Sequence, residues 1–224
     1  MAVVKTLPTH AIVQAAYPRT VTERDEVGMA VGKAIDTALS HMSHEFRESR
    51  RPTLAATHRL AAQTLDEELA DADLRLTPEA REQELTGVAG VLQAFRRSEV
   101  MGLARPRSRM ILINEQVGVY AQPDYWDGRA RFYEMKSYRA VPIPPDVRLQ
   151  VQLFQCAFPG FSAFLACFDR HSVPVTATIE SIPPLGAAEM DEVLRLAHRT
   201  GIEIGTEKVL EYVDNPIVRY AIPT

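Results

Sequence analysis

Apolar residues recur at helical spacing through three stretches of the first hundred positions. Val27, Val31, Ile35, Leu39 and Met42 share one face between Thr22 and Glu48, which is the spacing of an amphipathic helix. Thr20 or Thr22 is placed to cap its start. Leu54 to Leu69 predicts a second helix. Thr77-Pro78-Glu79 predicts the start of a third, with proline at the first helical position, where its missing N–H is no loss. That helix runs to about Val100, with Leu85, Val88, Leu92 and Phe95 on one side. Residues 1–100 are therefore expected to be all helical. Gly28 and Gly32, four apart, leave a small-residue groove on the first helix, open to a close neighbour or simply a weak spot.

The period then changes. Met110 to Val119 is rich in Ile, Leu and Val and predicts a strand. Val117–Tyr125 and Ala130–Tyr138 flank Asp127-Gly128, a hairpin signal. Pro142, Pro144 and Pro145 end this meander, and Asp146 is placed to cap a helix over Val147–Phe158. Phe161–Phe168 and Val173–Ile179 predict two more strands, and Ala187–Arg199 a helix stopped at Gly201. The tail to Thr224 is expected to add a short helix and a final strand. No internal repeat or low-complexity segment interrupts the order, which predicts a mixed α/β sheet with a helical N-terminal layer.

Composition narrows the picture. The chain has 224 residues, 46% hydrophobic and 24% charged, values of a folded globular domain. It has no apolar run long enough to span a membrane, and Met-Ala-Val-Val-Lys-Thr-Leu-Pro does not read as a signal peptide. Two cysteines, Cys156 and Cys167, lie in apolar surroundings. They suit a reducing cytoplasm and cannot supply a four-cysteine zinc or iron–sulfur site. The net charge of -4 is uneven: Arg96 to Arg148 holds ten basic and six acidic residues, leaving -8 for the rest. A basic middle in an acidic chain is either an anion-binding surface or a set of solvated arginines.

Within that middle, chemistry-bearing residues converge. Pro123-Asp124 ends one apolar strand, and Glu134-Met135-Lys136 lies in the next, with Glu134 and Lys136 on one face. Gln150 points to the apolar side of its helix and needs a polar partner there. Glu115 precedes them in the same meander. Register decides whether the carboxylates can meet. A strict two-residue loop at Asp127-Gly128 pairs Asp124 with Arg131 and turns Glu134 to the other face. A three-residue loop pairs Gln122 with Glu134 and returns Asp124 to that face. A shared acidic site therefore requires an odd-length turn, or a bulge near Pro123.

Other candidates carry less. His41 and His44 sit three apart on a helix without a second ligand set, and His171 and His198 have no partner pattern. Tyr125, Trp126, Tyr133 and Tyr138 are base-stacking or sheet-packing aromatics. Arg105, Arg107 and Arg109 before the meander, with Arg139 after it, are candidate phosphate grips or solvated linker charges.

Pro123-Asp124, Glu134-Met135-Lys136 and the glutamine motif Gln150-Val-Gln-Leu-Phe154 together resemble the PD-(D/E)XK nuclease superfamily, in its RecB-like exonuclease branch. Phe154 stands where that branch usually has tyrosine, and Gly28-Met-Ala-Val-Gly32 takes the place of a glycine–histidine motif. The resemblance implies a single domain over residues 1–224 with a restriction-endonuclease-like mixed central β-sheet flanked by helices. A helical part covers about 1–100 and a catalytic α/β core about 105–224. It implies a Mg²⁺- or Mn²⁺-dependent deoxyribonuclease, an exonuclease of repair, recombination or defence, in which Asp124, Glu134, Lys136 and Gln150 are catalytic. Asp124, Glu134, the Met135 carbonyl and Glu115 would hold the metal, Glu115 directly or by supporting the backbone. Lys136 would position or deprotonate water, with its pKa lowered. DNA is the implied partner, with a separate helicase or recombination protein and self-association left open. The alternative is a nucleic-acid-binding or assembly subunit of the same fold without turnover.

Overall fold

The structure, a computed structural model, describes residues 2–113, 116–138, 142–210 and 217–220. The chain is a mixed α/β protein in which helices flank two sheets. The helical layer is made of α2 (Glu23–Arg47), α3 (Leu54–Asp71) and α4 (Pro78–Arg96). Each starts on a threonine: the side chains of Thr22, Thr53 and Thr77 accept N–H bonds from Asp25, Ala56 and Ala80, filling donors a helix start leaves unpaired. Val31, Ile35, Leu39, Leu65, Val88 and Phe95 close into one buried cluster.

The first hundred residues are not all helical. β1 (Ala2–Pro8) and α1 (Thr9–Ala16) precede the helical layer and belong to the sheet region. β1 runs parallel to β3 (Val117–Ala121), pairing Lys5 with Val117. A seven-residue strand with a lysine at its centre has little periodicity of its own, and its partner lies more than a hundred residues away.

The expected single central sheet is two. One is ordered β8-β1-β3-β2-β9, the other β4-β5-β6-β7. The stretch Met110–Val119 is not one strand but a hairpin: β2 (Arg109–Ile113) pairs antiparallel with β3. β4 (Tyr125–Trp126) and β5 (Arg131–Lys136) are antiparallel, β5 is parallel to β6 (Ser162–Phe168), and β7 (Ala177–Ile182) closes the edge. α5 (Pro145–Ala157) starts after Pro144, so Asp146 lies in its first turn and is not its cap. α6 (Ala187–Ile204) runs through Gly201 and ends at Gly205. Gly201 is a close-packing residue: a Cβ there would strike the Val117 side chain. The tail holds β8 (Thr206–Leu210) and β9 (Ile217–Tyr220).

The second sheet separates two cores. Phe132 joins the cluster of α1, α5 and the first sheet, whereas Tyr133 joins the helical layer. Glu134 and Lys136 follow Phe132 at two-residue steps, so their side chains leave the sheet on the α5 side.

Candidate active site

The passage between the sheets places the first carboxylate. β3 ends at Ala121 and β4 begins at Tyr125, so Gln122-Pro123-Asp124 carries the chain from one sheet to the other. Pro123 has no N–H to lose from a ladder. The turn after β4 is built by Asp127. Its Oδ1 accepts the backbone N–H groups of Arg129, Ala130 and Arg131 at 2.9, 2.9 and 3.0 Å, and its Oδ2 accepts Arg131 Nε at 2.9 Å. Gly128 has a φ of 73°, a conformation that favours glycine. Trp126 pairs with Phe132 and Tyr125 with Tyr133. The connection is thus residues 127–131, an odd number and longer than three. Continued by one step, this register sets Asp124 opposite Glu134 on the same face. The ladder stops there because Asp124 Oδ2 takes the Met135 N–H at 2.8 Å.

Glu134 is 4% exposed, the sole charged residue among the buried described residues. A buried carboxylate needs a counter-charge, and Lys136 supplies it: its Nζ donates to Glu134 Oε1 at 2.8 Å and to Gln150 Oε1 at 3.2 Å. Gln150, half-buried on α5, thereby finds its polar partner. Burial opposes the charge on Lys136, but Glu134 and Asp124 outweigh it and raise the ammonium pKa. The two carboxylates thus hold Lys136 protonated, opposite in direction to the expected lowering. Burial, reinforced by Glu134, pushes Asp124 up to about 7, against the pull of Lys136, the Met135 N–H and Arg105.

A further carboxylate and a guanidinium complete the cluster. Arg105 reaches Asp124 Oδ1 and Asp36 Oδ2 at 3.3 Å each. Burial, and then the Asp124 charge, raise the Asp36 pKa although Arg105 opposes them. Asp36 was not singled out from the sequence, yet Gly28, Gly32 and Asp36 fall at four-residue steps on α2 and line one cavity of about 660 Å³ with Asp124, Glu134 and Lys136. A Cβ at either glycine would meet nothing within 4 Å, so the groove they leave is open. A second cavity of about 470 Å³ shares Asp124 and Glu134 and is bounded by Gln150, Arg105 and the start of α1.

Other candidates lie elsewhere. Arg109 stacks over Phe158 at 4.2 Å and donates to the Ala157 carbonyl at 3.4 Å; it secures the end of α5 and is not a free phosphate grip. Arg107 is exposed and lines neither cavity. Tyr133 stacks on Phe164 and Trp126 on Phe161, and Tyr125 packs on Phe95, so these three aromatics are packing residues. Tyr138, 38% exposed, stays at the cavity. His41, His44 and His171 are exposed, and His198 bonds Gln116. Cys156 and Cys167 are buried without a disulfide. Glu115 and Arg139 lie outside the described residues.

The donor set suits a hard divalent cation. Carboxylate and carbonyl oxygens are the ligands Mg²⁺ and Mn²⁺ take. Asp124 and Glu134 offer carboxylates, and the Met135 carbonyl leaves the same strand edge as the N–H that Asp124 accepts. Among the described residues no three His, Cys, Asp or Glu side chains form an ion-holding group by themselves, so backbone oxygen and water would complete such a site.

No family model matches the chain, and no curated protein does. Among solved structures it is similar to SSO0001, at 14% identity and a TM-score of 0.41 over 90% of this chain and 78% of that one. No helix among the described residues is long and apolar enough to cross a membrane.

Proposed function

We propose that this chain is a divalent-metal-dependent nuclease that hydrolyses DNA phosphodiester bonds, acting as an exonuclease in repair, recombination or defence. One observation carries the reading: Asp124 and Glu134, from opposite sides of an odd-length turn, line two adjoining cavities together, one with Lys136 and the other with Gln150, and Lys136 bonds both Glu134 and Gln150. A bound Mg²⁺ or Mn²⁺ supplies charge neutralisation and polarisation of the phosphoryl oxygen. Asp124, Glu134 and the Met135 carbonyl are the groups that would hold it. Lys136, protonated and fixed between Glu134 and Gln150, contributes positive charge beside the phosphate and holds Glu134 in place. Gln150 fixes the ammonium and offers its amide N–H groups to the attacking water or the ester. Acceleration then comes from positioning and electrostatics.

A second reading draws on the ion pairs. Arg105 already covers Asp124, and Lys136 covers Glu134, an arrangement that also suits a nucleic-acid-binding or assembly subunit without turnover. Purified protein with Mg²⁺ or Mn²⁺ is expected to degrade linear DNA, and Glu134→Gln to lose at least about a hundredfold in rate with its melting transition retained. Wild type and variant equally inert across metals and substrates, both still binding DNA, would establish the subunit reading.

A further inference from the structure

We infer that Arg105 holds the place of the divalent cation on Asp124 and exchanges that carboxylate for a DNA phosphate when the cation binds. The inference rests on the nuclease reading for its substrate and deepens it, because it makes cation binding and DNA binding depend on each other through one side chain. Asp124 Oδ2 is committed to the Met135 N–H at 2.8 Å. Its Oδ1 is the oxygen left for a cation, and Arg105 Nη2 donates to it at 3.3 Å while Nη1 donates to Asp36 Oδ2 at 3.3 Å. A cation arriving at Oδ1 meets a positive charge already in contact with that oxygen, and the two repel.

The bridge is loose where other ion pairs are tight. Arg81 grips Asp66 through two nitrogens at 2.8 and 2.7 Å, the bidentate geometry of a strong pair. Arg105 gives each of its carboxylates one nitrogen, at the long end of hydrogen-bond length, and its side chain is 45% exposed. Lys136 holds Glu134 at 2.8 Å in far closer surroundings and has no such freedom. The main chain on either side of Arg105 is fastened: the Ala104 carbonyl accepts the Trp126 N–H at 2.9 Å, and the Pro106 carbonyl accepts from Gln122 Nε2 at 2.9 Å. Exchange is therefore a matter of side-chain torsions about a fixed backbone beside the Gln122-Pro123-Asp124 crossing. Arg105 already borders the second cavity with Glu134 and Gln150, the space in which a phosphate oxyanion would receive it. A guanidinium pairs with phosphate as readily as with carboxylate. Cation and phosphate thus each remove the other's competitor: the cation releases the arginine, and the phosphate draws the arginine off the cation's ligand. Linkage makes that help reciprocal.

Calorimetric titration with Mn²⁺, without DNA, tests the exchange on wild type, Arg105→Gln and Arg24→Gln. Arg24 lines the same cavity as Asp36 and Asp124 but bonds neither, so its loss removes an equal charge without opening the bridge. Arg105→Gln is expected to bind Mn²⁺ about fivefold more tightly than wild type, the worth of a partly exposed ion pair, and Arg24→Gln to change by less than about twofold. Fluorescence anisotropy of a short single-stranded DNA in Ca²⁺ is expected to show the opposite sign, with Arg105→Gln about tenfold weaker than wild type. Arg105→Lys keeps the charge on a single ammonium that cannot span both carboxylates; it is expected to fall between the two, and it carries the test if melting shows the glutamine variant unfolded. Mn²⁺ affinity unchanged or weakened in Arg105→Gln, an equal gain in Arg24→Gln, DNA binding indifferent to the loss of Arg105, or a wild type that binds neither Mn²⁺ nor DNA would each overturn the inference. Cleavage in Mg²⁺, assayed alongside, keeps the two ideas apart. Tighter Mn²⁺ and weaker DNA binding in Arg105→Gln, with no cleavage by any form, leave the exchange standing and remove the nuclease reading. Cleavage by wild type with unaltered Mn²⁺ affinity in Arg105→Gln does the reverse.

Discussion

The helical layer and the second sheet share a core yet bury different things. α2, α3 and α4 enclose aliphatic side chains and a few hydroxyls, such as that of Thr57, which returns to the Thr53 carbonyl at 3.1 Å. The pair that joins α3 and α4 lies outside: Arg81 and Asp66 meet at 2.7 Å with side chains 36% and 52% exposed, whereas the better-buried Glu84 of α4 pairs at 3.0 Å with Arg170, which follows β6 outside the layer. The far face of the second sheet buries Glu134 with Lys136, side chains 5% and 17% exposed. Charge taken out of water costs several kcal/mol unless well paired. One region thus meets the ordinary requirements of folding, whereas the other retains a charged cluster that packing alone does not require. That difference marks the Glu134–Lys136 cluster as the place where the proposed function is to be tested.

The contrast is sharpest when the two ion pairs are broken. Lys136→Ala leaves a buried carboxylate without a partner and is expected to destabilise by about 3–5 kcal/mol. Arg81→Ala, in the exposed pair of the helical layer, is expected to cost at most about 1 kcal/mol. Equal losses in chemical denaturation would erase the distinction between the regions.

Next in size is the response to pH. Asp124 is held at about 7 in the fold, against an ordinary carboxyl of 3.8. The folded protein therefore binds this proton more tightly than the unfolded chain does. The resulting stability is fully present below about pH 4 and is lost as pH rises through about 7. Melting temperature without metal should therefore fall between pH 5 and pH 8 more steeply than in Asp124→Asn. Asp36, also raised, keeps some slope in that variant. Mn²⁺ should stabilise more at pH 8 than at pH 6, because it competes with the proton for the same oxygens. A metal effect independent of pH would separate the cation from Asp124.

The smallest effect belongs to the helical layer. Thr77→Ala removes the bond from Thr77 to the Ala80 N–H and is expected to cost about 1 kcal/mol without altering DNA binding or cleavage. A change in either would tie that layer to the site more closely than the ion pairs do.

Local signals account for what was legible. Thr22, Thr53 and Thr77 with the apolar stripes behind them define three helices through contacts within a turn or two. Side-chain alternation puts Glu134 and Lys136 on one face wherever β5 is placed, and the odd-length turn around Asp127 follows from requiring Asp124 to join them. Asp36 was a partial miss: its four-residue spacing from Gly32 marks the face, but not what that face meets. β1 gave no usable signal, since a short strand acquires its identity from distant partners. Gly201 reads as a stop in sequence and is a contact in space.

The amino-acid order thus determined the capped helices, the parity of the acidic strand residues and the types of side chain available for phosphate chemistry, because each depends on neighbours a few positions away. The tertiary structure alone decided that the sheet divides at Gln122-Pro123-Asp124, that Arg105 bridges Asp36 and Asp124, and that the start of α1 opens onto the same carboxylates. Those facts depend on pairings between segments far apart in the chain, whose register is set by the burial of both partners together.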